Sequence, residues 1–163
     1  MSRSARPYKL VALGGTFDVL HAGHRLLLSE AFKIGDVVLI GVTSDRLVAT
    51  LHKKHPVRSF SSRVRDLDRF LKTRHWSSRV RVAALREPYG PAATRKKLQA
   101  LIVTEGTLAS GRRLNRLRQR NGLQPLDLFV VDLLKAADGK PISTTRIRNR
   151  EIDPQGRVLK TRR

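Results

Sequence analysis

Residues 10–24 read Leu-Val-Ala-Leu-Gly-Gly-Thr-Phe-Asp-Val-Leu-His-Ala-Gly-His, and the order of residue types in this stretch decides the fold. Leu10 to Leu13 suit a short buried strand, and the pair Gly14-Gly15 lets the backbone turn sharply. From Arg25 to Phe32 the apolar residues recur at helical spacing. Strand, tight turn and helix start together make an anion site. The first N–H groups of such a helix have no intrahelical acceptor and its dipole is positive there, so a triphosphate is a natural ligand. His21 and His24 stand three residues apart on one helical face toward that site.

The glycine spacing narrows the chemistry. The stretch has neither the G-x-G-x-x-G pattern nor the Lys of G-x-x-x-x-G-K-[ST], so neither a dinucleotide fold nor a Walker loop is supported. Two histidines without third and fourth ligands nearby do not make a zinc site. Gly23 between them removes a side chain where a phosphate or an adenine ring approaches the backbone, while the imidazoles donate to phosphate oxygens. Nucleotidyl transfer needs no covalent nucleophile when the acceptor already carries a phosphate. Its oxygen attacks the nucleotide α-phosphorus and pyrophosphate leaves in line, so positioning and charge stabilisation suffice.

Downstream, strands and helices alternate. Asp36 to Val42, Arg79 to Leu85, Ala100 to Val103 and Leu126 to Val131 are predicted strands. Helices are predicted through Thr50, from Ser62 to Thr73 and from Thr107 to Gln119. Ser44 and Asp45 offer a cap for the first of these helices, and Ser61 or Ser59 caps the second. The polar segment 52–59, with Lys53, Lys54 and Arg58, is a candidate lid or substrate arm. Ile142-Ser143-Thr144-Thr145-Arg146 enters a terminal helix with hydroxyls that suit a cap or a phosphate. The alternation implies an α/β fold, Rossmann-like, with a doubly wound parallel five-stranded sheet in a single domain. Ligands of such sheets bind beyond the strands' carboxyl ends, near a topological switch point.

The 163 residues hold one domain's worth of core, expected over 9–153, with a flexible basic N-terminus at 1–8 and a basic tail at 154–163. No internal repeat is visible. The absence of cysteine removes a disulfide framework and a thiolate nucleophile from consideration. The polar start, without an apolar leader or a membrane-length run, fits a cytoplasmic protein with no membrane partner. Thirty-four Lys and Arg against 13 Asp and Glu give a formal charge of +21, which calls for an anionic substrate or partner. The basic residues are spread over several helices and aromatics for base stacking are scarce. Solvated helix faces are therefore the favoured reading over a nucleic-acid surface.

With these motifs in order, the chain resembles the phosphopantetheine adenylyltransferases of the nucleotidyltransferase superfamily that carries an HxGH signature. The likeness is to the archaeal form and the matching domain of eukaryotic coenzyme A synthase. It runs from Leu10 to about Asp153 and includes Glu87-Pro88-Tyr89-Gly90-Pro91-Ala92, Val103 to Thr107 with Leu114-Asn115-Arg116, and Ile142 to Arg146. It implies transfer of the adenylyl group of ATP to 4′-phosphopantetheine, with Mg²⁺ bridging the triphosphate. By resemblance, Thr16, His21 and His24 contact the ATP phosphates, His24 being the main stabiliser of the pentacoordinate transition state. Gly15, Phe17, Asp18 and Gly23 shape the nucleotide pocket, and Ser143, Thr144, Thr145 and Arg146 hold the β and γ phosphates. Lys53 or Lys54 meets the acceptor phosphate. Glu105 stands in the nucleotide pocket where the bacterial enzymes carry an Arg-Gly-Leu-Arg element. The alternatives are a cytidylyltransferase, an adenylyltransferase with another phosphorylated acceptor, or an RNA-binding protein on the same fold.

Overall fold

The computed structural model describes residues 6–160. Five strands form one parallel sheet: β1 (Tyr8–Gly15), β2 (Gly35–Thr43), β3 (Val80–Leu85), β4 (Ala100–Val103) and β5 (Asp127–Val130). Their order is β3-β2-β1-β4-β5. Between them run helices α1 (Ala22–Ile34), α2 (Asp45–Thr50), α3 (Phe60–Thr73) and α4 (Glu105–Arg120), with α5 (Thr144–Arg148) after the last strand. This is the Rossmann-like arrangement that the alternation predicts.

Both faces of the sheet are covered, because side chains on a strand alternate and both sets are apolar. Val11 and Leu13 join Val38, Ile40 and Val42 on one face, under Leu28, Ala31 and Phe32 of α1 and Leu67 and Leu71 of α3. Ala12 and Leu39 face the other way and meet Leu98, Leu114 of α4 and Leu126. The chain steps outward from β1 to β2 and β3, then returns to place β4 on β1's other side. The crevice at this reversal lies outside the ends of β1 and β4, at Gly15 and Val103.

Several boundaries differ from the sequence expectation for physical reasons. The sharp turn is not made by Gly14-Gly15, which complete β1 opposite Gly41 and Val42. It follows them, and the left-handed residue is Phe17, with φ 54°. Helix α4 starts two residues before Thr107, because the Thr107 hydroxyl accepts the Thr104 N–H at 2.9 Å and fixes an earlier first turn. The separation of 154–163 as a tail does not coincide with a break in packing. Ile152 is fully buried and bridges Val158, and Ala137 donates to the Gly156 carbonyl. The Pro154 carbonyl accepts the N–H of Ala22, the first residue of α1. At the other end, Arg6 bonds the Phe32 carbonyl and Tyr8 lies in β1, while 1–5 and 161–163 lie outside the described residues.

Candidate active site

The segment between β1 and α1 is held in a strained shape from three sides. A positive φ is costly for an aromatic residue and persists only where its surroundings dictate it. Here the Phe17 ring is buried in the core and lies 5.0 Å from the His24 ring. Arg63, fully buried on α3, donates to the Thr16 carbonyl at 2.7 Å and to Asp45 at 2.9 Å. Asp18, only 2% exposed, accepts the Arg58 N–H at 2.9 Å and two-pronged bonds from Arg148 at 2.9–3.1 Å. Burial pushes the Asp18 carboxyl up, but these donors and the two cations outweigh it and hold it below its ordinary value. One carboxylate thus ties the β1–α1 turn, the loop before α3 and the terminal helix together.

The histidines follow. His21 is the N-cap of α1, its Nδ1 accepting the His24 N–H at 3.4 Å. His24 Nδ1 donates to the Val19 carbonyl at 3.0 Å, since a carbonyl only accepts. The rings stack with centroids 3.8 Å apart. Burial pushes His21 down to about 3, with His24 adding to the shift, and burial pushes His24 down to about 4 against the opposing bond to Val19. Both are neutral at pH 7. The bonds fix opposite tautomers, so His21 offers an Nε2–H and His24 a bare Nε2. Gly23 serves this pair directly: a Cβ there would lie 3.0 Å from His21 Cε1.

Depressed histidines have a consequence for stability. Between pH 6.5, their ordinary value, and about 4 the unfolded chain binds protons that the folded chain refuses, so stability falls as pH falls through this window. Urea midpoints measured from pH 7 down to pH 4.5 are expected to drop, and His24→Ala is expected to flatten the slope. Equal slopes in both proteins would remove this account.

Two cavities open at the switch point. The polar one, about 250 Å³, is lined by Thr16, Phe17, Asp18, His21 and His24 from the first motif, by Ser143, the N-cap of α5, and by Thr144 and Thr145 of that helix. Lys53, His55 and Val57 close it from the loop. The second, about 260 Å³ and mainly apolar, is lined by Gly14, Gly15 and Gly41, by Leu85, Tyr89, Pro91 and Ala92, and by Thr107, Ser110 and Leu114 of α4. Gly41 keeps it open, since a Cβ there would lie 2.8 Å from the Leu85 side chain. Gly15 of the apolar lining and Thr16 of the polar one are neighbours in the chain.

Not every expected residue reaches this place. The Arg146 guanidinium is taken by Glu151, at 2.9 Å, and by Asp138, outside the polar cavity. The Arg58 guanidinium pairs with Asp66 at 2.6 Å and with the Asp18 carbonyl. Lys54, Glu105 and Gly23 line neither cavity. Among the described residues no cluster of three or more His, Asp or Glu side chains is placed to hold a metal, and no helix is long and apolar enough to cross a membrane.

The comparisons with known proteins agree with this geometry. The cytidylyltransferase-like family model matches residues 12–150. A phosphopantetheine adenylyltransferase of Methanothermobacter thermautotrophicus is 42% identical over 155 residues, covering 95% of this chain and 92% of that one. That of Methanopyrus kandleri is 38% identical, covering 90% and 92%. The chain belongs to the phosphopantetheine adenylyltransferase family. A solved protein of unknown function from Archaeoglobus fulgidus superposes with a TM-score of 0.67 at 29% identity, covering 82% of this chain and 98% of that one. A putative nicotinate-nucleotide adenylyltransferase from Vibrio parahaemolyticus shares the fold at 0.57, with 14% identity and coverage of 91% and 83%.

In this member of the phosphopantetheine adenylyltransferase family, sequence reasoning missed four residues at or around the site. Arg148 lies 130 residues from its partner Asp18 and looks like one more arginine in a basic run. His55 lines the polar cavity with a nitrogen 3.9 Å from Asp18. Arg63 stands one turn before Leu67 on the apolar face of α3, a place where a cation needs internal acceptors. Arg118, also fully buried, donates to the Ala92 and Arg95 carbonyls at 2.7 and 3.2 Å and braces the wall of the apolar cavity.

Proposed function

We propose that the protein transfers the adenylyl group of ATP to 4′-phosphopantetheine, giving dephospho-coenzyme A and pyrophosphate. The observation that carries this reading is a polar cavity and an apolar one lined by adjoining residues of the first motif, Thr16 and Gly15. The triphosphate belongs in the polar cavity. The apolar cavity, walled by Leu85, Tyr89, Pro91 and Leu114, suits the pantetheine arm. The acceptor's phosphate then lies beside Gly15 and Thr16, where its oxygen forms a bond to the α-phosphorus as the bond to the β-phosphate oxygen breaks.

The side chains act by holding charge. Thr16, His21 Nε2–H and the Ser143, Thr144 and Thr145 hydroxyls are donors for phosphate oxygens, and Lys53 supplies a cation toward the acceptor. Mg²⁺ enters as part of the MgATP substrate, neutralising triphosphate oxygens. The carboxylate in the cavity, Asp18, is already engaged by Arg148 and Arg58, which leaves the ion to the phosphates.

His24 needs a proton before it can donate, because its one hydrogen is committed to Val19. An arriving polyanion raises the pKa of a buried imidazole. MgATP binding near pH 7 is therefore expected to take up a proton, read as buffer-dependent binding heats in calorimetry and lost in His24→Ala. Binding heats that do not change with buffer would assign donation to His21 alone.

Purified protein incubated with MgATP and phosphopantetheine is expected to release pyrophosphate, with CTP a poor substitute. Release with CTP at the ATP rate would favour a cytidylyltransferase. No release above a His24→Ala control would overturn the reaction.

A further inference from the structure

The outer surface of α4 carries charge that the transfer reaction does not use. Its inner face, Thr107, Ser110, Gly111 and Leu114, lines the apolar cavity. Its outer face exposes Arg112, Arg113, Arg116 and Arg120, and the helix's one acidic residue, Glu105, stands at the far end. Lys96 and Lys97 are exposed just after the segment that Arg118 clamps to the helix through the Arg95 carbonyl, which sets them beside its C-terminal half.

The basic surface of α3 shows what a merely solvated face looks like. There Arg69 pairs with Asp66 at 3.3 Å and Lys72 with Asp68 at 2.7 Å, one helical turn apart. On α4, among the described residues, none of the four exposed arginines has a carboxylate partner, and Arg113 makes only a 3.4 Å bond to Ser110. Arginines at i and i+4 repel one another, so a row of them weakens its own helix unless an anion is bound.

We infer that the outer face of α4 binds the sugar–phosphate backbone of a nucleic acid. Arg112 to Arg120 span about 12 Å at the rise of a helix. That length matches three or four phosphates at roughly 3.4 Å per nucleotide along one strand. Arginine forks suit phosphate oxygens in pairs. No exposed aromatic accompanies them on the helix, so recognition is of the backbone and is independent of base sequence. The face points away from both cavities, so binding there leaves MgATP access free.

The test is fluorescence anisotropy of a short labelled oligouridine. Binding is expected, with affinity falling about 20–50-fold between roughly 50 and 200 mM salt, as release of counterions from three or four phosphates requires. The triple variant Arg112→Gln/Arg113→Gln/Arg120→Gln is expected to weaken binding at least about tenfold while pyrophosphate release stays at the wild-type value and the thermal midpoint is equal or higher, since the like-charge pairs are relieved. Lys96→Gln/Lys97→Gln, which alters a loop instead of the helix, is expected to weaken binding as well. Affinity unchanged in both variants would overturn the assignment. So would displacement of the oligomer by MgATP, which would put the backbone in the polar cavity. Capture by anionic lipid vesicles without capture of oligouridine would assign the face to a membrane and overturn it equally.

Discussion

Replacing His24 with Ala is expected to lower kcat for adenylyl transfer by about 10²–10³-fold, the usual loss when one preorganised donor to a developing oxyanion is removed. The KM for MgATP is expected to change little, because the attraction of the charged ring for the bound triphosphate is offset by the cost of protonating a buried imidazole that titrates at about 4 in the free protein. The structure gives His24 a fixed ring: Nδ1 is tied to Val19, one face lies on His21 and Phe17 packs near it. His21→Ala is expected to cost less turnover. It removes the cap of α1 and one face of the stack but leaves the His24 bond to Val19 in place. Steady-state kinetics on the two variants decides this, and equal losses would remove the division of roles between the rings.

The largest effect on stability is expected at Asp18. Asn there keeps the shape and removes the charge, leaving Arg148 and Arg58 facing a neutral amide. Breaking a buried pair from one side costs about 3–5 kcal/mol. The Arg148 and Arg58 side chains remain 34% and 38% exposed and hydrate in part, so about 2–3 kcal/mol is expected for Asp18→Asn. The KM for MgATP is expected to rise more than kcat falls, because Asp18 holds the walls of the phosphate cavity together. Urea unfolding with the double variant Asp18→Asn/Arg148→Gln checks the cause, since deleting both charges is expected to restore part of the loss. A loss below about 0.5 kcal/mol, the range of ordinary surface changes, would mean the carboxylate does not hold the site.

The fold was legible because each element advertised itself locally. The continuous apolar run of β2 between Asp36 and Val42 and the helical spacing of Val64, Leu67 and Leu71 required no distant information. The two halves of the polar cavity were legible for a similar reason, as Thr16 to His24 and Ser143 to Thr145 carry donors at turns that enter helices. What stayed hidden depends on pairing across the chain. Nothing local separates Arg148, which clamps Asp18, from Arg146, which is taken by Glu151 and Asp138. The positive φ at Phe17, two residues after a glycine pair that looked better suited to it, follows from the core packing of its ring. Gly23 was legible as a needed glycine, but the close neighbour is His21 itself.

The clamp between Asp18 and Arg148 also has a direction in time. A ribosome makes Asp18 and the histidines early and delivers Arg148 only 130 residues later, with Pro154, which caps the start of α1, later still. Until then the emerging chain can pair β1 with β2, but Asp18 has only Arg58 of its two cations and lacks the two-pronged partner that completes its compensation in a dry interior. A motif made early is thus completed by one made 130 residues later. Fragments that end before Arg148 are expected to hold much of the sheet and no working site, so an incompletely made chain does not compete for nucleotide.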